Sequence, residues 1–276
     1  MRCIWVAIWA IAVVCGCAKE QTADVEIDVA SMQTQFLDQN GSVASRVALG
    51  RVLVAHEAGR AFLVTQYGSG RRYVVQAVVD SIIGDRPVVA AQLLAELMAA
   101  AGGEAKLHFE AQLITLGEPA TPVLVELAKS ETDWQTMMRT LDALGKLKAK
   151  QGRDVMAAQL HHSNDWVRIA AAHALGDLGD LDGVPALVGA LEDTSDTVIS
   201  AALVGLGKVG DLGAVQVCGQ KLKHKNPRVR AAAVSALGRI GGVEAKGFLD
   251  TALKDPDSGV RFKAQGALDK ITKNAK

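Results

Sequence analysis

Six histidines, four cysteines and thirty carboxylates are the side chains of this 276-residue chain that could do chemistry. Their spacing leaves little of that chemistry available. His56-Glu57 is the pair most like a metal-ligand set. A metal centre needs three or four converging ligands, and no second His-Glu pair follows it. His161-His162 are adjacent, whereas side chains that share a helix face stand three or four residues apart. They are expected at a corner of the chain, in solvent. His108, His173 and His224 stand alone. No glycine-rich phosphate loop, zincin motif or nucleophile elbow occurs. These residues predict a protein that is not an enzyme and that uses no metal or cofactor.

The cysteines carry a different chemistry. Arg2 is followed by an uncharged apolar run from Ile4 to Val14. A bilayer-spanning helix needs about 20 apolar residues, so this run suits the core of a cleaved export signal instead. It ends in Val14-Cys15-Gly16-Cys17, which resembles the bacterial lipobox. Cys15 fits that pattern less well, because bulky Val14 precedes it. The resemblance implies cleavage before Cys17, diacylglycerol on its sulfur and an acyl chain on its new amine. Two or more chains make a stable membrane anchor, where one chain is marginal. An ordinary secretory signal cut nearby is the alternative. Ala18 after the cysteine implies, in the enterobacterial sorting pattern, the periplasmic face of the outer membrane of the cell envelope. Cys3 and Cys15 leave with the signal, so Cys218 alone remains in the folded part and no intramolecular disulfide can form. Its position predicts a small buried core residue. Residues 1–16 are thus assigned to the signal, and 17–42, polar and somewhat acidic, to a flexible tether. Val25, Ile27 and Val29 would also suit one edge strand.

The elements that would position any site follow from a period. Ala143-Leu144-Gly145, Ala174-Leu175-Gly176, Gly205-Leu206-Gly207, Ala236-Leu237-Gly238 and Ala267-Leu268-Asp269 succeed one another at 31 residues. A fixed period of this length marks stacked repeats in which each unit covers its neighbour's apolar face. One column holds Asp133, Asn164, Ser195, Asn226 and Asp257, all helix N-cap types. Val167, Ala171, Ala174, Leu175 and Leu178 then form one apolar helix face. Gly179, Gly210 and Gly241 are expected to end that helix. A second helix follows, with buried columns Met156, Leu187, Cys218, Leu249 and Leu160, Leu191, Leu222, Leu253. Lys263, Gln265, Asp269 and Thr272 make the last copy polar, as an end cap requires. Upstream, Val74, Val78 and Ile82 fit the same face, and Arg86 to Ala100 reads as a helix. Leu116-Gly117 stands 28 residues before Leu144-Gly145, which predicts a short deletion there. The expected organisation is an N-terminal helical cap over 43–70 and an all-α solenoid over 71–276.

Segments such as Asp165-Trp-Val-Arg-Ile-Ala-Ala-Ala-His-Ala-Leu-Gly and Pro227-Arg-Val-Arg-Ala-Ala-Ala-Val-Ser-Ala-Leu-Gly resemble HEAT repeats, of the short subtype named after phycobilisome lyases. The resemblance covers roughly residues 71–276 and implies a binding scaffold. Enzymatic relatives exist. Deoxyhypusine hydroxylase binds two irons through several His-Glu pairs, of which this chain has one. The bilin lyases act in the cytoplasm, which an export signal contradicts.

Charge is balanced overall, with thirty basic and thirty acidic residues, but unevenly spread. Residues 177–213 carry seven acids and one lysine, and 214–276 carry thirteen Lys/Arg and five acids. Lys221, Lys223, Lys225, Arg228 and Arg230 are the densest basic group. They read either as a solvated face or as a dock for an acidic partner or an anionic membrane surface. No aromatics interleave with them, which argues against nucleic acid. Trp166 starts a helix in a column otherwise holding Gln135, Thr197, Arg228 and Gly259; it is either an exposed partner-binding anchor or packed on the next repeat. The sequence therefore predicts a lipid-anchored envelope protein that binds another protein, along a concave face lined by the second helices. A groove enzyme and a passive envelope spacer are the rival readings.

Overall fold

The computed structural model describes residues 28–38, 41–131 and 133–274. The expected export signal, Cys17, Val25 and Ile27 lie outside the described residues. Among the described residues every regular element is helical. The chain divides into two compact units at Val123/Leu124.

The first unit contains α1 (Val29–Leu37), α2 (Val43–Leu53), α3 (Glu57–Gly68), α4 (Arg72–Ile82), α5 (Pro87–Ala100) and α6 (Glu104–Leu116). The stretch assigned to a tether is therefore helical over α1. Asp28 caps that helix by accepting from Ser31 N–H at 3.0 Å. Met32 and Phe36, one turn apart on one face, are buried, and Phe36 meets Phe62 edge-on at 5.5 Å. The stretch expected as a helical cap forms two helices, α2 and α3. It does not stand apart as a cap, because α3 packs on α4 and α5. The boundary expected at residue 70 thus falls inside a unit. Val74, Val78 and Ile82 are buried as their period requires.

The second unit repeats a two-helix motif. Its first helices are α8 (Trp134–Lys146), α10 (Asp165–Leu178), α12 (Asp196–Val209), α14 (Pro227–Ile240) and α16 (Ser258–Asn274). Its second helices are α7 (Thr121–Ser130), α9 (Arg153–Ala158), α11 (Val184–Gly189), α13 (Val215–Gln220) and α15 (Gly242–Ala252). The cap column works as its residue types dictate. Asp133 accepts from Thr136 N–H, Asn164 from Trp166 N–H, Asn226 from Arg228 N–H and Asp257 from Val260 N–H, at 2.9–3.0 Å. Ser195 differs, since its hydroxyl is engaged by Thr197 Oγ1 at 2.7 Å. Met156, Leu187, Cys218 and Leu249 are fully buried, as are Leu144, Leu175, Leu206 and Leu237. In the other second-helix column Leu160 and Leu191 are buried, while Leu222 and Leu253 are half-buried.

The period continues upstream without a deletion. Gly117 has φ +77° and ends α6, so it is equivalent to Gly179, Gly210 and Gly241, with φ of 70°, 77° and 74°. Stepping by 31 from Gly117 reaches Lys148, the one non-glycine residue with positive φ (51°) among the described residues, and then Gly179. Leu113, buried, is the true counterpart of Leu144. The pair Leu116-Gly117 imitates the Leu-Gly of the repeat while occupying a different column.

The glycine of Ala-Leu-Gly is explained by what lies over it. A Cβ on Gly145 would stand 2.7 Å from Ala174 Cα, on Gly176 2.6 Å from Gly205 Cα, and on Gly207 2.9 Å from Ala236 Cα. Successive first helices touch backbone to backbone there, and a methyl group does not fit. In the last copy Lys263, Gln265 and Asp269 are exposed, where the equivalent residues of inner copies are buried or half-buried. Gly176→Ala is expected to lower the free energy of unfolding in urea by about 1–3 kcal/mol, the usual cost of overpacking. Gly247→Ala, in the middle of α15 with nothing within 4 Å of its Cβ, is expected to be neutral or to gain up to about 1 kcal/mol of helix propensity. Equal effects would show that the contact is not what holds the helices together.

Candidate interaction surface

The turn entering each first helix is built by an acceptor two residues before the cap. Glu131, His162, Asp193, His224 and Asp255 occupy one 31-residue column. Each accepts the backbone N–H two residues further on: Asp133 at 2.6 Å, Asn164 at 2.9 Å, Ser195 at 2.8 Å, Asn226 at 3.1 Å and Asp257 at 2.8 Å. His162 and His224 accept through Nδ1, so in the neutral ring the proton sits on Nε2. His162 is thus a half-buried turn residue and not the free loop side chain expected, whereas His161 beside it is exposed. The sequence signal was present as a column of acceptor types.

Arginines close these turns onto the next repeat. Arg168 donates to His162 O at 2.8 Å and to Ser163 O at 3.2 Å, and grips Asp193 through two bonds of 2.8 and 3.1 Å. Arg230 repeats the arrangement two units on, with His224 O, Lys225 O and two 2.8 Å bonds to Asp255. Two parallel N–H···O bonds of this kind fix geometry as well as charge. The Arg230 and Asp255 side chains are 11% and 7% exposed. Arg230 is therefore a clamp between repeats and not the partner-binding residue expected. Its partner stands 25 residues away on the next turn, where local charge density gives no hint of it. Lys221 is also engaged, pairing with Glu192 at 2.9 Å.

The remaining expected residues lie on this edge, Trp166 two repeats before the others. Lys223, Lys225 and Arg228 are exposed and form no ion pair among the described residues. Trp166 is 59% exposed, so it is open to solvent and not packed away on the next repeat. Trp166, Thr197 and Arg228 share a column at the second position of successive first helices. The edge is formed by helix-entry turns, not by the face of the second helices.

Charges that alternate in blocks along the sequence meet across repeats. Arg153 reaches Asp182 at 2.6 Å and Asp180 at 3.2 Å, Lys208 reaches Asp177 at 2.6 Å, and Asn226 Nδ2 donates to Asp196 at 2.7 Å. Among buried groups, burial pushes the Cys218 thiol up to about 12, so it is an inert core residue. Burial, and then the Lys208 ammonium, hold His173 below the ordinary histidine range. Among the described residues no three His, Cys, Asp or Glu side chains gather as metal ligands would, and no helix is long and apolar enough to cross a membrane.

Stacked two-helix units with this cap, clamp and glycine arrangement define an α-solenoid, a fold that binds other proteins or peptides on extended surfaces. Residues 121–207 and 184–269, together more than half of the sequence, match the family model for HEAT repeats, and the chain belongs to the HEAT-repeat family. None of the curated proteins compared with it matches its sequence. Among solved structures, the complex of CpcE and CpcF of phycocyanin lyase from Nostoc sp. PCC7120 is similar at 24% identity, over 64% of this chain and 76% of that chain, with a TM-score of 0.48. A designed armadillo repeat protein in complex with the peptide (KR)4 is similar at 19% identity over 76% and 98%, with a TM-score of 0.46. Human deoxyhypusine hydroxylase in complex with glycerol is similar at 16% identity over 89% and 96%, with a TM-score of 0.36. These are likenesses of fold.

The Arg230 guanidinium, through its hydrogen bonds, holds the Asp255 carboxyl below the usual carboxylate range. A carboxylate with a depressed folded pKa contributes stability that is complete above its unfolded value, about 4. That contribution is lost as pH falls through the folded value. Stability of the wild-type chain is therefore expected to drop as pH is lowered from about 5 toward 2, and Asp255→Asn to remove part of that slope while lowering stability at pH 7. A parallel pH profile in the variant would exclude the pair as an acid-sensitive clamp.

Proposed function

We propose that this chain is a cell-envelope lipoprotein, anchored through lipid on Cys17 at the periplasmic face of the outer membrane, whose HEAT repeats form a non-catalytic scaffold for another protein. The observation that carries the reading is the division of labour among polar groups on the helix-entry edge. Arg168, Arg230 and Lys221 are used to join repeats. Trp166, Lys223, Lys225 and Arg228 are exposed beside them. A large exposed aromatic and unpaired cations on one edge, two repeats apart, suit a partner with an acidic surface. The aromatic supplies apolar contact, and the cations speed encounter and fix orientation.

The lipid anchor is supported by the sequence from Arg2 to Cys17, in which an apolar run too short to cross a bilayer ends in Gly16-Cys17. Cys17→Ser is expected to move the protein from the membrane fraction to the soluble periplasmic fraction. Retention of that variant on membranes would exclude anchoring at Cys17. Crosslinking in the native envelope is expected to capture one dominant protein, and Trp166→Ala with Arg228→Glu to reduce the yield about tenfold or more. Absence of any dominant product from the wild-type chain would favour a passive spacer instead.

A further inference from the structure

The turns inside each repeat, between first and second helix, form a different edge from that of the helix-entry turns. Leu181, Leu212 and Val243 stand 31 residues apart, one per repeat, and are 62%, 64% and 92% exposed. Single exposed apolar side chains are ordinary on any protein. Here three consecutive repeats expose one in the same column, while Gly183, Ala214 and Ala245, two residues further on, are all buried. The row is continuous at its C-terminal end, since a Cβ on Gly242 would lie 3.3 Å from Leu212 Cδ2. Leu212 thus leans onto the turn that carries Val243.

The same turns are acidic. Residues 179–183, 210–214 and 241–245 contain Asp180, Asp182, Asp211 and Glu244, and no lysine or arginine. Arg153 reaches in from the preceding repeat to Asp180 and Asp182. Asp180 and Asp211 also brace their own turns by accepting from Asp182 and Gly213 N–H, and Gln216 donates to Glu244. Asp182 and Glu244 remain exposed beside the apolar row.

We propose that this row is a docking rail for an extended, basic, proline-rich segment of the partner protein, with an apolar side chain at every third residue. The inference rests on the scaffold reading in requiring a partner, and is independent of the lipid anchor. Helices in contact lie about 8–10 Å apart. A polyproline II segment has three residues per turn and advances about 9.3 Å over them, so every third side chain returns to one face at the repeat spacing. A β-strand fails this match, because its side chains alternate and the third residue points away. An α-helix returns to the same face after seven residues, about 10.5 Å, and is the poorer fit. Lysine or arginine between the apolar positions meets Asp182, Asp211 and Glu244 along the rail.

The test uses the full chain and a labelled peptide of four Leu-Pro-Lys triplets, followed by fluorescence anisotropy and by backbone amide shifts. Saturable binding is expected, with shifts concentrated at 179–183, 210–214 and 241–245. The triple variant Leu181→Ser, Leu212→Ser, Val243→Ser is expected to bind about tenfold more weakly or worse, with thermal unfolding unchanged because these side chains are exposed. A peptide with leucine at every fourth residue is expected to bind comparably weakly. The proposal is overturned by no binding at millimolar peptide, by equal binding of the triple variant, or by equal binding of the four-residue spacing or of a heptad-patterned helix. It is also overturned if the wild-type chain self-associates through this row and the triple variant does not, which would assign the row to a second copy. Envelope crosslinking separates the two levels: capture that persists while the peptide fails removes the rail alone, whereas no capture by the wild-type chain removes the scaffold reading.

Discussion

The repeat stack hangs on a distance that glycine alone permits. Where α10 crosses α12, a methyl on Gly176 would lie 2.6 Å from Gly205 Cα, and the same contact recurs one repeat to either side. Because the backbones meet there, the leucine preceding each glycine is carried into full burial: Leu144, Leu175, Leu206 and Leu237 are all 0% exposed. Each fully buried leucine is worth roughly 1.5–3 kcal/mol of transfer free energy, so a widening of the crossing would act on every seam at once. The terminal copy supplies the converse case. Among the described residues no helix crosses α16 on its outer side, and at that position Asp269 is tolerated, exposed to solvent.

Close stacking also determines what becomes of the charges. Residues 177–213 carry a formal net charge of −6, seven acids against one lysine, and 214–276 one of +8, thirteen bases against five acids. Read along the chain, that is a strongly polarised molecule. Read across the stack, the acids of one repeat face bases of its neighbours, as in Asp177 with Lys208, Glu192 with Lys221 and Asp193 with Arg168. Pairs on the surface contribute little each. The two arginine clamps are different, since they are sheltered, bidentate and tied to backbone carbonyls as well. Their value lies in fixing how one turn seats on the next, and they occur in alternate repeats because Ile199 occupies the arginine column between them.

Much of this could be read in the sequence, for a physical reason. Caps, apolar faces and crossing glycines depend on local residue type, and a 31-residue period displays five copies of the caps and faces and four of the glycine. What escaped reading depends on contacts between copies or on too few residues. Helix α1 buries only Met32 and Phe36, too sparse a pattern to stand out from a polar stretch. Leu116-Gly117 resembles the repeat's Leu-Gly, and only its helix-ending φ shows that it belongs to another column. His162 and His224 look like loose histidines until each is seen accepting a backbone N–H in the place where the next repeat uses aspartate. Arg230 looked available because Asp255 is distant in sequence. Of the surface, Lys223, Lys225 and Arg228 were legible as exposed positions and Trp166 was open between exposed and packed, whereas Cys17 lies outside the described residues.

The separation between seam and turn bears on what such a protein can do. Polar groups able to act in concert across repeats are committed to one another: both sheltered arginines hold aspartates, and the column acceptors hold backbone N–H groups. The turns carry no such obligation on their outward side. Their backbones are braced by caps and acceptors, so a side chain at the Trp166 or Leu212 column can be exchanged without disturbing the crossing of the helices. Rigid turns repeated at helix spacing, with exchangeable side chains, are what recognition of an extended partner demands, and the costly ordering of the binding surface is already met by the core.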